Sequence, residues 1–203
     1  MTTSASTPRL RLTLAFYLAL WATTAFAGPG PGAGYGAALL SPLAWLIVGA
    51  ASLGRIWCSV FVAGRKDAVL VTQGPYALCR HPLYSLSIVA AAGLGLATRS
   101  LVLAVTAVVV VSLLVARAAR AEERLLLSLH GQAYADYMAS TPRFRPRLAA
   151  LEAARPPERL EIQPRVLWKA FLDAGSILLL LALIDAARLA RESGITPIWL
   201  PLP

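Results

Sequence analysis

Five apolar runs divide this chain: Leu10 to Ala27, Ala37 to Trp57, Leu83 to Thr98, Leu101 to Ala116 and Phe171 to Ala187. A helix needs about 20 such residues to cross about 30 Å of hydrocarbon. The pattern therefore predicts an all-α, multi-pass membrane bundle of about five transmembrane helices. Arg11, at the mouth of the first run, can snorkel to the interface. The uncharged stretch Gly28 to Gly36 reads as a short turn. The third and fourth runs form a tight helical hairpin pivoting at Arg99-Ser100. Its arms are short for full spans, which suits a thinned bilayer or helices that extend beyond it.

Polar positions collect in two long segments. Gly64 to Pro82 holds too much glycine, proline and charge to lie in lipid, and beyond Ala116 the fourth helix continues into water as far as Gly131. Gln132 to Trp168 follows, with Pro142, Pro146, Pro156 and Pro157 among many arginines. The expected organisation is residues 1–63 with the first two helices, 64–146 as a core of two polar segments flanking the hairpin, and 147–203 as an extension. That extension carries the fifth helix, with Asp173 near its start and Asp185 near its end.

Composition supports lipid as the solvent. Hydrophobic residues make up 58% of the chain and charged residues 14%, and a soluble globule of this length buries only about 70% of the surface its chain exposes. The net charge of +9 raises the question of nucleic acid. The basic residues sit at the ends of apolar runs, not in a stripe with interleaved aromatics, which argues against that partner. Anionic headgroups or an anionic substrate account for the charge better. Of the 19 Lys and Arg residues, all but Arg99, Arg188 and Arg191 fall on one side of the five-span layout. The positive-inside rule places that side, with the N-terminus and both polar segments, in the cytoplasm. Short loops point to a bacterial inner membrane. Ala25-Phe26-Ala27 resembles a signal cleavage site, but the layout requires an uncleaved first helix. Cys58 and Cys79 form neither a disulfide framework nor a zinc pattern, and no metal ligand set is expected.

The hairpin brings the two polar segments to one membrane face, so a site should draw on both. In the first, Gly74-Pro75 imposes a turn, and Pro82 biases His81 away from helical geometry while suiting the first position of the next helix. Tyr76, Arg80, His81 and Tyr84 share one depth, where composition alone also allows an interfacial anchor and an aromatic belt. In the second, Arg117, Arg120 and Arg124 share a helical face, and Glu122-Glu123 stands just outside the apolar span. A solvated charged face is the alternative there.

Taken together, LVTQGPYALCRHPLY, a hairpin, and EERLLLSLHGQAYADYMASTPRFRP resemble the isoprenylcysteine carboxyl methyltransferase family and its phospholipid-methylating relatives. The resemblance covers Arg55 to Pro146. It implies a membrane enzyme that binds S-adenosyl-L-methionine at the cytoplasmic face and methylates a lipophilic or lipidated acceptor among membrane lipids. Family cofactor contacts fall on Ala68, Val69, Leu70, Val71, Tyr76, His81, Pro82, Leu83 and Tyr84, and on a glutamate: Glu122, or alternatively Glu123. The arginine that orients the acceptor falls on Arg117 or Arg120. Three departures qualify the transfer: Leu86 stands where the family commonly has glycine, His130-Gly131 replaces Phe-Gly, and the arginine does not land on one position. The acceptor is left open between a carboxylate and a phospholipid amine. A membrane reductase of the sterol-reductase kind, using NADPH, and a non-catalytic scaffold are the competing readings.

Overall fold

The computed structural model describes residues 15, 17–19, 21–24, 27–28, 36–62, 69–155, 162–195 and 200–201. It is helical apart from a two-residue parallel bridge between Ala27–Gly28 and Leu200–Pro201. The helices are α1 (Gly36–Val62), α2 (Pro75–Leu78), α3 (Pro82–Ala97), α4 (Leu101–Ser140) and α5 (Pro164–Glu192), with a 3-10 turn at Leu148–Ala150. Three of them are long and apolar enough to cross a membrane: α1 from Leu39, α4 and α5. α3 is apolar but shorter, at 16 residues. Half of the first apolar run lies outside the described residues; within it, residues 15, 17–19 and 21–24 are helical.

Two compact units recur along the chain. The first comprises Met1–Val48, Ala90–Val111 and Ile177–Pro203. Its core is Ala44 and Val48 of α1, Leu94 and Ala97 of α3, Ala107 of α4, and Leu181 and Ile184 of α5. Small residues let these helices approach closely, as is usual where lipid removes the hydrophobic drive between them. The expected hairpin is present. α3 ends at Ala97, Thr98 Oγ1 donates to the Gly95 carbonyl at 2.6 Å, and Arg99 takes a left-handed φ of 56° before α4 begins. A Cβ on Gly95 would lie 2.5 Å from the backbone Cα of Ala104. Gly95→Val should therefore force the hairpin arms apart and destabilise the protein by about 1–3 kcal/mol; denaturation in detergent measures it, and an unchanged midpoint would contradict the close approach.

Asp185 lies in this unit with its charge fully engaged. Ser41 Oγ donates to both carboxylate oxygens at 3.0 Å, Trp45 Nε1 donates at 2.6 Å, and Arg188 reaches Oδ1 at 3.2 Å. Arg188 also pairs with Glu192 at 2.8 Å, and Glu192 accepts from Arg99 at 2.9 Å. Buried ionisable groups persist where they are paired and hydrogen-bonded in this way.

The second unit comprises Gly49–Val89 and Ser112–Ser176. Arg55 of α1 donates to Asp173 of α5, to the Leu83 carbonyl at 3.2 Å and to Ser87 Oγ at 2.5 Å. The expected departure at Leu86 has a local explanation. Leu86 packs against Gly54 of α1, where an added Cβ would stand 2.9 Å from Leu86 Cδ1. The small residue sits on the opposite helix of this contact. Beyond Arg117, α4 continues past the expected stop at Gly131 to Ser140, bending at Gly131 with φ 53° and ψ −125°. Open space surrounds Gly131, so backbone conformation is what calls for glycine there.

Candidate functional site

All the side chains of the candidate site belong to the second unit. Its floor is a loop laced to a loop. Gly74 enters at φ 62° against the Phe61 ring, and Pro75 opens the single turn α2. The chain then extends through Cys79 to Pro82, the first residue of α3. The segment after α4 runs beside it. Arg80 N–H donates to the Pro142 carbonyl at 2.9 Å, His81 N–H to the Arg143 carbonyl at 3.0 Å, and Arg147 N–H to the Leu78 carbonyl at 2.9 Å. Side chains repeat the pattern: Tyr137 Oη donates to the Tyr76 carbonyl at 2.6 Å, and Ser85 Oγ to the Phe144 carbonyl at 2.7 Å. Pro82 lacks an N–H, so the first helical position carries no donor to satisfy, and Tyr84 and Ser85 N–H both donate to the His81 carbonyl at 3.1 Å.

Glu123 is the centre of charge. It is 5% exposed and accepts from Arg143 at both oxygens, with Nε at 3.0 Å from Oε1. His81 Nε2 is 3.1 Å from Oε1, and Arg80 Nη1 approaches the same oxygen at 3.3 Å. A buried carboxylate is tolerable when it is paired and hydrogen-bonded in this way. The hydrogen bond to Glu123 holds the Arg143 guanidinium above its ordinary pKa. Glu122 is different. Its side chain is 33% exposed, it accepts from Tyr84 Oη at 2.8 Å, and His81 Nδ1 lies 3.9 Å away. The His81 and Tyr84 rings stack with centroids 5.4 Å apart and planes 16° from parallel.

Burial pushes the His81 pKa below its ordinary value, against the opposing pull of Glu122 and Glu123. Neutral at pH 7, the ring donates through Nε2 and presents Nδ1 toward Glu122. The unfolded chain then binds more protons than the folded one from about pH 6.5 downward to the lower folded pKa, so stability is present above about 6.5 and is lost as pH falls from there through the folded pKa. A pH series of detergent melts should show this loss, and His81→Gln should flatten it; equal slopes in the two proteins would contradict a buried neutral histidine. Burial also raises the Cys79 thiol pKa, and both cysteines are free and buried. Among the described residues, no group of three His, Cys, Asp or Glu side chains is placed to hold a metal ion.

Of the expected site residues, His81, Tyr84, Glu122 and Glu123 meet in this cluster. Pro82 and Leu83 frame it by position, and Tyr76 joins through its carbonyl. Val69 is exposed, Leu70 and Val71 are half-buried, and Ala68 lies outside the described residues. Arg117 and Arg120 do not join. Both are exposed on α4, neither pairs with Glu122 or Glu123 among the described residues, and Arg120 Nε turns back to its own Ala116 carbonyl at 3.2 Å. Two other guanidinium groups, those of Arg80 and Arg143, stand at Glu123. Arg143 was missed because its role depends on a loop crossing; its position between Pro142 and Pro146 was the available signal.

Residues 37–128 match the profile of the isoprenylcysteine carboxyl methyltransferase family. Over 167 residues the chain is 35% identical to the nickel-cobalt-cadmium resistance protein NccN of Alcaligenes xylosoxydans xylosoxydans, covering 82% of this chain and 76% of that one. The chain belongs to the isoprenylcysteine carboxyl methyltransferase family. The three membrane-capable helices among the described residues agree with an integral membrane protein of that family. It is also 41% identical over 111 residues to the cobalt-zinc-cadmium resistance protein CzcN of Cupriavidus metallidurans. That match spans 55% of this chain and about half, 51%, of CzcN. No solved structure matches. The family profile contains His81, Tyr84, Glu122 and Glu123 but ends before Tyr134, Tyr137 and Arg143, so the loop that closes the site falls outside it.

Proposed function

We propose that this chain is an S-adenosylmethionine-dependent membrane methyltransferase. Its acceptor is the carboxylate, or another polar head, of a lipophilic, isoprenoid-like molecule. On this reading about five helices span a bacterial inner membrane, residues 64–146 form the methyltransferase core, and the site faces the cytoplasm. The observation that carries the proposal is the contrast between two adjacent glutamates. Glu123 is consumed by Arg143, whereas Glu122 is partly open beside the His81–Tyr84 stack.

The residues fit the donor's chemistry. Glu122 suits an ammonium group through a charge-assisted hydrogen bond, and Tyr84 holds that carboxylate in place. Leu70 and Val71, half-buried, offer apolar wall to an adenine. Once bound, the donor supplies a methyl group on a sulfonium, whose displacement by a carboxylate cancels charge. Such an acceptor is already nucleophilic, so the chain's task is alignment and exclusion of water. An amine acceptor would need to lose a proton, and neutral His81 presents Nδ1 for that. Arg117 and Arg120, exposed on α4, would meet an anionic headgroup from the solvent side.

Purified protein in detergent, melted with S-adenosylhomocysteine or with NADPH, tests the donor. At 100 times its dissociation constant the homocysteine compound should add about 2.7 kcal/mol, and NADPH nothing. Tritiated-methyl labelling should then mark a lipid extract. Stabilisation by NADPH alone would install the reductase reading; response to neither would remove both.

The names of CzcN and NccN favour a second, compatible reading, a part in resistance to cobalt, cadmium, zinc or nickel. If methyl transfer is the route, cells expressing Glu122→Gln should be as cadmium-sensitive as cells without the protein. Full resistance from that variant would separate the phenotype from the site.

A further inference from the structure

The charges around His81 do not balance group by group. Glu123 carries one negative charge and faces two guanidinium groups. Arg143 takes both of its oxygens. Arg80, with a side chain only 10% exposed, is left with a single 3.3 Å approach from Nη1 to Oε1. Its Nε and Nη1 are buried without a hydrogen-bond acceptor among the described residues, and so is Tyr134 Oη, on a residue only 1% exposed. Tyr134 stands within electrostatic reach of Glu123, Arg80, Glu122 and Arg143. Buried donors are rarely left unsatisfied, and each such group calls for an explanation.

The imbalance has a direction. Glu122 lies on the Nδ1 side of the His81 ring, negative and partly open. Arg80 lies on the Nε2 side, where Glu123 is already neutralised by Arg143. The Nδ1 edge of the imidazole therefore faces an acceptor open to a cation, while beyond Glu123 on the Nε2 edge lie the buried donors of Arg80. An α-amino acid presents an ammonium and a carboxylate one carbon apart, and a site reading both needs this pairing of opposite charges across a short span. Guanidinium and phenol together suit a carboxylate, since both donate and neither adds negative charge.

We propose that Arg80 and Tyr134 form a carboxylate subsite opposite Glu122, so that the site reads the whole zwitterionic amino-acid end of the donor and not its ammonium alone. The proposal rests on the reading above that the donor binds here. It gives Arg80 a binding role where composition alone suggests a membrane anchor, and it explains why two arginines converge on one glutamate.

Calorimetric titration of the detergent-solubilised full chain with three probes tests it: S-adenosylhomocysteine, its decarboxylated analogue, and 5′-methylthioadenosine, which lacks the amino-acid end altogether. Wild type should bind the decarboxylated analogue at least tenfold more weakly than S-adenosylhomocysteine, and 5′-methylthioadenosine more weakly still. Arg80→Gln and Tyr134→Phe should weaken S-adenosylhomocysteine while leaving the decarboxylated analogue as it was in wild type, so that the preference shrinks. Equal binding of the first two probes by wild type overturns the subsite and leaves the donor reading intact, and this comparison needs no variant to fold. Absence of binding by all three probes overturns both. Should Arg80→Gln fail to fold, Tyr134→Phe and the wild-type ladder still decide.

Discussion

Replacing Glu123 with alanine is expected to lower the unfolding free energy by about 3–5 kcal/mol, the usual cost of removing one member of a buried ion pair. The size follows from what is left behind. Arg143, Arg80 and His81 all converge on this carboxylate, two of them directly hydrogen-bonded. Without it, two guanidinium groups face each other across a space that shared one counter-charge. Denaturation in detergent measures the loss, and a double-mutant cycle with Arg143→Ala isolates the pair, with an expected coupling of about 0.5–3 kcal/mol. A cost below about 1 kcal/mol for Glu123→Ala would mean that the cluster does not hold the loop 141–147 to the α2–α3 loop.

One residue earlier, the same amino acid should behave in the opposite way. Glu122→Gln is expected to change stability by less than about 1 kcal/mol, because the side chain is one-third exposed and amide can still accept from Tyr84. Its effect should fall on ligand affinity. Losing a charge-assisted hydrogen bond to an ammonium costs about 1.5–3 kcal/mol, which is about 10- to 100-fold in the dissociation constant of S-adenosylhomocysteine. Titration of the two variants side by side separates a structural glutamate from a binding one. Unchanged affinity in Glu122→Gln would remove the ammonium role from this residue.

Much of the helical layout was legible because lipid imposes simple rules. Apolar runs marked α1, α3, the first part of α4 and α5, and Arg99-Ser100 marked the hairpin turn that the left-handed Arg99 completes. The extension of α4 to Ser140 was not legible, since a glycine inside a polar stretch reads as a stop, and Gly131 bends the helix instead of ending it. Spacing placed Arg117, Arg120 and Arg124 on one face, correctly as a matter of helical geometry, yet that face is exposed and turned away from the Glu123 cluster. Which way a helix turns its charged face depends on its neighbours, and spacing carries no information about them.

Local order along the chain was enough to specify helices, turns and the family, because chain polarity against lipid and backbone preferences at glycine and proline act over a few residues. The partition of roles between Glu122 and Glu123 required the fold. Adjacent helical positions point in different directions, and here a loop from beyond α4 supplies Arg143 to one carboxylate and leaves the other open. Burial and pairing are properties of that three-dimensional crossing, which no stretch of contiguous residues encodes on its own.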